Sequence, residues 1–163
     1  PNASNLFTRS QPPVFTKSVY EYYLNMKKDK NILKEYLPFI LKEYKFWMSQ
    51  RILPCGLNTY SCSATKEQLL SNYTWNCRRI DEYRETEEEK ISLAEDFIAI
   101  AESGIDFNMR FRTKESKIDA KKFIHLDINC IMYDVEKIIA KMYLELDDIE
   151  NSNIFEKYAL KTN

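Results

Sequence analysis

One aspartate, Asp106, stands out as a candidate catalytic group because of its neighbours. It lies between Ile105 and Phe107 and follows Gly104, one of only two glycines in the 163 residues. Glycine favours the left-handed backbone that ends many helices, so we expect Asp106 just beyond a helix C-terminus. Apolar neighbours and the negative helix end are expected to raise the pKa of Asp106, as a general acid near neutral pH requires. Local sequence alone favours a simpler role, in which Asp106 caps the next turn.

The helix that should position Asp106 has a clear signal at its start. Thr86 and Glu89 have the spacing of a capping box, in which each side chain accepts the backbone N–H of the other residue. Apolar residues then recur close to the helical period. They are Ile91, Leu93, Ala94, Phe97, Ile98 and Ile100. The sequence therefore predicts a helix that begins at Thr86 and ends near Gly104.

Similar periodicity near the start of the chain predicts two further helices. Residues 15–28 carry an apolar stripe at helical spacing. Asn31 is expected to cap a short turn that ends at Pro38, because proline is tolerated at the first position of a helix but not inside it. The next helix is therefore expected to begin at Pro38 and to run through Gln50.

The remaining segments are less even in their patterning. Residues 52–78 show little beyond one or two helical turns. Residues 113–124 are expected to form a solvated connection, with a helix as the alternative. A long apolar stripe follows Asp127 and Asn129, either of which is the expected N-cap, and a final helix over 154–160 is expected to pack on it. With few glycines and few β-branched runs, the sequence predicts an all-α fold.

The composition limits the classes of function. The net charge is -1 with 30% charged residues, which gives no electrostatic case for binding nucleic acid or an anionic membrane. No apolar run approaches the roughly 18 residues that span a bilayer. The four cysteines lack the spacing of a metal site, so no metal is expected.

The length and the ends of the chain indicate how it is organised. A chain of 163 residues suits a single domain over 1–163. Because the first residue is Pro1, we interpret the sequence as an internal piece of a longer chain, in which a membrane anchor stays an open possibility. Asn2 and Asn72 each begin an N-glycosylation pattern, which favours a secreted or cell-surface location over a cytoplasmic one.

Four stretches of the sequence together resemble the trehalases, a family of inverting glycoside hydrolases. Ala101–Arg110 (AESGIDFNMR) resembles the segment that carries their catalytic acid. Local sequence alone would make a second stretch, Arg78–Glu85, the mixed-charge start of a helix. The other stretches are Pro1-Asn2 with Thr8–Pro13 (TRSQPP), and Leu126–Asn129 (LDIN). The resemblance covers nearly the full chain and implies the middle portion of a trehalase catalytic domain.

The resemblance implies a fold, a reaction and a set of site residues. The fold is part of an (α/α)6 barrel of helical hairpins, and the reaction is hydrolysis of α,α-trehalose to two glucose molecules, without a cofactor. Asp106 is then the general acid. Arginine suits such a sugar site because its planar, permanently charged fork holds several oxygens at once. The implied substrate-binding residues are Asn2, Arg9, Ser10, Gln11, Arg79, Ile80, Asp81 and Gly104.

Two observations keep other interpretations open. The catalytic base lies in trehalases downstream of the region that this chain resembles, so the isolated chain is expected to be inactive. Asp81 stands where the family pattern has the longer glutamate, as in a non-catalytic sugar-binding or scaffold protein whose loops have diverged. A helical interaction domain unrelated to sugars is a further alternative.

Overall fold

A computed structural model describes residues 8–105 and 109–162 of the chain. Two positions assigned from the sequence, Asn2 and Asp106, lie outside the described residues. Within those ranges there is no β-strand, only two isolated bridges, so the predicted all-α class is confirmed. The α-helices are α1 (Phe15–Asn25), α2 (Lys30–Gln50), α3 (Lys66–Ile80), α4 (Glu87–Glu102), α5 (Leu126–Glu145) and α6 (Ile149–Thr162), with short 3-10 helices at Met109–Phe111 and Ala120–Lys122.

The chain divides into two compact units. The bundle unit comprises Pro13–Asn58 and His125–Asn163, and it contains α1, α2, α5 and α6. The motif unit comprises the segment that ends at Pro12 together with Thr59–Ile124, and it contains α3, α4 and both 3-10 helices. All described residues that the sequence assigned to a sugar site belong to the motif unit.

The bundle unit is held together by the apolar faces of its helices. A short connection joins α5 to α6, which pack along each other, and an ion pair between Lys137 and Glu156 links their middle turns. α1 packs against both α2 and α5. Burial of apolar side chains contributes about 25 cal/mol per Å² and dominates the stability of such a bundle. The core comprises Val19, Tyr23, Leu33, Leu37, Ile40, Val135, Ile139, Met142 and Phe155, among others.

The prediction that Pro38 begins a helix is wrong. α2 begins at Lys30, after the N-cap Asp29, whose carboxylate accepts the Asn31 N–H at 3.0 Å. Pro38 therefore lies inside the helix on its exposed face, where it removes one backbone hydrogen bond at a cost of about 3 kcal/mol. Burial of the opposite face outweighs this cost. That face includes Leu33, Leu37 and Ile40.

The expected N-cap at Asp127 or Asn129 is also wrong. α5 begins at Leu126, which places Asn129 inside its first turn. The Asn129 side chain accepts the backbone N–H of Asn58 at 2.8 Å and donates to the carbonyl oxygen of Asn58 at 3.0 Å. Both residues are buried, so this paired contact fixes the loop after α2 on the start of α5.

The motif unit contains the helix on which the sequence analysis rests. α4 begins with the predicted capping box between Thr86 and Glu89, whose two hydrogen bonds are each 3.2 Å long. It ends at Glu102, and Gly104 has the predicted left-handed backbone with φ +70°. The prediction of a solvated connection over 113–124 is wrong in part. Ile118 and Ala120 are buried there.

The connection between α3 and α4 runs back along α3 toward the N-terminal end of that helix. The N–H of Arg84 donates to the Tyr73 hydroxyl at 2.7 Å, more than a turn before α3 ends. Lys66 at the start of α3 forms a 2.6 Å ion pair with Glu87 at the start of α4. The N-terminal ends of the two helices therefore lie together. Because the helices also pack on each other, their C-terminal ends lie toward the same end of the motif unit.

Candidate functional site

Two segments far apart in sequence meet at the C-terminal end of α4. The Arg9 guanidinium donates through Nη1 to the carbonyl oxygen of Ala101. The next backbone N–H, of Ser10, donates to Oε1 of Glu102 at 2.8 Å. These contacts join the segment after Thr8 to the stretch that leads to Asp106. The two segments carry the two most specific motifs of the sequence.

Gly104 lies against the same segment. An added Cβ at Gly104 would lie 3.9 Å from the Cγ and Cδ atoms of Pro12 and 4.0 Å from Oε1 of Gln11. The side chains of Gln11 and Pro12 therefore lie beside the glycine turn, which itself stays exposed. Arg9, Ser10, Gln11 and Gly104 are brought together by the fold.

Glu102 is the functional candidate that the sequence analysis missed. Its side chain is fully buried, with 0% of the residue exposed. Oε1 accepts the Ser10 N–H and Oε2 accepts the Ser61 N–H, each at 2.8 Å. One signal was available in the sequence: an acidic residue in the last turn of a helix opposes the helix dipole, so it needs a compensating contact.

The backbone just before Asp106 is fixed by Ser103. The Ser103 hydroxyl donates to the carbonyl oxygen of Ile100 at 2.6 Å and accepts the N–H of Ile105 at 3.1 Å. Ser103 is buried, so these bonds are shielded from water. The residue that precedes Asp106 is therefore held by the end of α4.

Arg79, Ile80 and Asp81 lie at the end of α3. α3 ends at Ile80, so the alternative that Arg78–Glu85 starts a helix is wrong. Asp81 occupies the left-handed C-cap position with φ 54°, and its N–H donates to the carbonyl oxygen of Cys77. Arg79 and Asp81 are exposed, whereas Ile80 is half-buried. This group lies toward the same end of the motif unit as Gly104, where the hydrogen bonds of Arg9 and Ser10 join their segment to α4.

Glu82 ties the residues after α3 to the segment that follows Asp106. Its carboxylate pairs with Nη1 of Arg112 at 2.8 Å through one oxygen and with Nη1 of Arg84 at 3.1 Å through the other. All three side chains are mostly buried, which reduces solvent screening of the pairs. The chain is thus anchored on both sides of Asp106, by Ser103 before it and by Glu82 after it.

Comparison with known protein families shows to which family this chain belongs. A family model described as Trehalase matches residues 1–163. The chain belongs to the trehalase family. It is 30% identical to a trehalase of Arabidopsis thaliana over an alignment of 165 residues. The alignment covers 91% of this chain and 25% of that protein. A trehalase of Dictyostelium discoideum is 29% identical, with 90% of this chain and 27% of that protein covered. A periplasmic trehalase of Citrobacter koseri is 29% identical over 97% of this chain and 30% of its own length.

The chain spans about a quarter to a third of the length of the curated trehalases that it matches. In the part of the chain that the structure describes, no helix is long and apolar enough to cross a membrane. Among the same residues, no group of three or more His, Cys, Asp or Glu side chains could hold a metal ion.

Asp96 is a buried carboxyl of α4 outside the trehalase motifs. Burial raises its pKa to about 6, although the backbone N–H of Lys121, which donates to Oδ1 at 3.0 Å, acts in the opposite direction. Asp96 borders a cleft of about 260 Å³ that Arg84 and Ser92 also line. Because none of the four stretches that resemble the family contains Asp96, we give it no role in the sugar site.

Proposed function

We propose that the protein containing this chain hydrolyses α,α-trehalose to two glucose molecules with inversion, and that this chain supplies the general acid and part of the sugar site. One observation beside family membership carries the proposal. The Arg9–Pro12 segment binds the end of α4 at Ala101, Glu102 and Gly104, two residues before Asp106. The fold thus brings a candidate sugar-binding arginine to the segment that leads to the candidate acid.

In the proposed reaction, Asp106 donates a proton to the oxygen that bridges the two glucose units. The bond between that oxygen and one anomeric carbon breaks, and its electron pair stays on the protonated oxygen. A water molecule forms the new bond from the opposite face and loses its proton to a second carboxylate. In inverting enzymes the two carboxyl groups are about 6.5–9.5 Å apart, which leaves room for this water. We assign the base to a part of the protein outside this chain.

Arg9 is proposed to hold sugar hydroxyls near the reacting carbon. A guanidinium has five N–H donors in one plane, and the contact with the Ala101 carbonyl oxygen fixes the direction of that plane. Hydrogen bonds to sugar hydroxyls strengthen as the ring distorts toward the oxocarbenium-like transition state, so a correctly placed donor lowers the barrier. We assign the same role to Arg79, and we assign hydroxyl and ring contacts to Asn2, Ser10, Gln11, Ile80, Asp81 and Gly104.

The anomeric form of the first products tests the proposal. Inversion at one anomeric carbon gives one β-glucose, while the other half leaves as α-glucose, so proton NMR immediately after mixing should show equal amounts of the two anomers. Retention would give α-glucose alone. In the complete protein, Asp106→Asn should reduce glucose release at least about 10²-fold, because general acid catalysis contributes that much.

A matched control and a clear negative outcome complete this test. Glu88→Gln removes one exposed carboxylate from the first turn of α4, and it should leave glucose release unchanged. If the folded wild-type protein releases no glucose, calorimetric titration with trehalose distinguishes the remaining alternatives. Binding that Arg9→Lys weakens would indicate a non-catalytic sugar-binding protein, and no binding would indicate a helical scaffold.

A further inference from the structure

The Glu102 carboxylate is the point at which three segments of the motif unit meet. It lies on the last turn of α4 and receives one N–H from Ser10 and one from Ser61. The two receiving oxygens are different, so each of the two loops has its own acceptor. A third contact joins the loops themselves, because the Ser63 N–H donates to the Thr8 carbonyl oxygen at 2.7 Å.

The position of Glu102 is unfavourable unless those contacts are made. Burial of a charged carboxylate costs several kcal/mol when its oxygens lack donors. Its place at the C-terminal end of a helix adds repulsion from the helix dipole. Hydrogen bonds from backbone N–H groups to an ionised acceptor are short and about twice as strong as neutral ones, which offsets these costs. Glutamine has the same shape, but its amide nitrogen would face one of the two N–H donors.

We propose that Glu102 is a positioning residue for Arg9: through the Ser10 and Ser61 amides it fixes the loop whose guanidinium binds the sugar. This inference rests on the proposed function. Arg9 is held from two sides by adjacent residues of α4, since Ala101 accepts from its guanidinium and Glu102 accepts from the amide of the following residue. Loss of the carboxylate releases the Ser10 amide, so the Arg9 backbone shifts and the orientation of its guanidinium changes.

A double-mutant cycle in the complete protein tests whether Glu102 acts through Arg9. The variants are Glu102→Gln, Arg9→Lys and the double variant, with Glu88→Gln as the control for loss of one α4 carboxylate. Misplacement of a substrate-binding group by about 1 Å costs roughly 10²-fold in rate, so Glu102→Gln should lower kcat/KM for trehalose to that extent. The double variant should be no slower than Arg9→Lys alone, because residues that act as a unit are not additive.

The cycle separates positioning from a purely structural role. If Glu102 only stabilised the fold, its effect would multiply with that of Arg9→Lys, and the proposal would be overturned. If Glu102→Gln does not fold, Glu102→Asp replaces it in the cycle, because aspartate keeps the charge while drawing the carboxylate back by one methylene.

Hydrogen exchange supplies a readout that does not depend on activity. Glutamine keeps one acceptor oxygen, and the Ser63–Thr8 bond couples the two loops, so at least one of the peptides that contain residues 8–12 and 59–63 should exchange faster in Glu102→Gln than in wild type. Both peptides should be unchanged in Glu88→Gln, and unchanged exchange of both in Glu102→Gln would overturn the proposal. If the wild type does not hydrolyse trehalose, the proposed function fails on that result alone, and the exchange data still decide whether Glu102 holds both loops.

Discussion

Burial raises the pKa of the Asp96 carboxyl, and this shift makes the free energy of unfolding depend on pH. Its pKa in the folded state is about 6, above the ordinary value of 3.8. Between these two values the folded protein binds a proton that the unfolded chain has released. The stabilising contribution is therefore present in full below pH 3.8 and is lost as the pH rises through about 6.

Replacement of this carboxyl by an amide should therefore stabilise the protein near neutral pH. Asp96→Asn keeps an oxygen that accepts the Lys121 N–H, but it removes the cost of a buried charge. We expect the free energy of unfolding to rise by about 2–3 kcal/mol at about pH 7, and most of the gain to be lost near pH 4. Urea unfolding at both pH values measures this. The exposed Glu88→Gln is the control, and an equal gain at both pH values would contradict the assignment.

Alanine substitutions at the two glycines compare backbone strain beside the candidate site, at Gly104, with backbone strain away from it, at Gly56. Gly104 and Gly56 have φ angles of +70° and +88°, so alanine is strained at both by about 1–2 kcal/mol. An added Cβ approaches Pro12 and Gln11 at Gly104 but meets nothing within 4 Å at Gly56.

We expect both glycine variants to lower the melting temperature to a similar extent, but only Gly104→Ala to impair the site. Relief of strain at Gly104 shifts the backbone that leads to Asp106 and supports the Arg9 loop. Trehalose hydrolysis by the complete protein should then fall at least about tenfold in Gly104→Ala and stay near wild type in Gly56→Ala. Equal losses of activity in the two variants would show that the turn at Gly104 has no special role.

At the scale of the helices, α2 contains a removable defect. Pro38 lies on the exposed face inside α2, where no backbone N–H is available for the helix. Pro38→Ala should raise the free energy of unfolding by about 1–3 kcal/mol, because alanine restores that N–H and removes the ring. Lys42→Ala, at an exposed position on the same helix, is the control and should change it by less than about 0.5 kcal/mol. Destabilisation by Pro38→Ala would instead indicate that the proline ring makes a contact that the helix needs.

The helices that could be predicted from the sequence are those whose signals are local. The capping box at Thr86 and the left-handed turn at Gly104 depend on residues a few positions apart, and both are confirmed. Pro38 misled the prediction, because the packing that keeps the helix continuous comes from α1 and α5 rather than from nearby residues. Tertiary contacts of this kind override local propensity.

The residues of the candidate site show the same difference between local signals, which could be predicted, and tertiary contacts, which could not. Motif resemblance picked out Arg9, Ser10, Gln11 and Gly104, and the fold brings these residues together. The helix-end position of Glu102 indicated that it needs a compensating contact, but its partners could not be predicted, because they are backbone N–H groups and any residue type except proline supplies the same donor. Asn129 was misassigned for the same reason, since its partner is the backbone of Asn58.

At the scale of the whole molecule, we propose that the reaction needs more than this chain. The curated trehalases that it matches are three to four times as long, because the matched region is 25–30% of their length. Several large apolar side chains are exposed here, including Trp75 at 73% and Leu126 at 78%. Inversion requires two carboxylates on opposite faces of the scissile bond, and we propose only one of them, Asp106, in this chain.

We therefore expect the isolated chain to release no glucose from trehalose under conditions in which the complete protein is active. The physical reason is that we assign the base to a part of the protein outside this chain: without a base no group accepts the proton of the attacking water, and general base catalysis contributes about 10²–10⁴-fold. Circular dichroism of the isolated chain is the necessary control, because loss of the helical signal would explain inactivity by unfolding. Glucose release by the folded isolated chain that is abolished by Asp106→Asn would place the second carboxylate within these 163 residues. The described acidic side chains of the motif unit, with Glu82 and Asp81 first, would then be the ones to replace in search of the base.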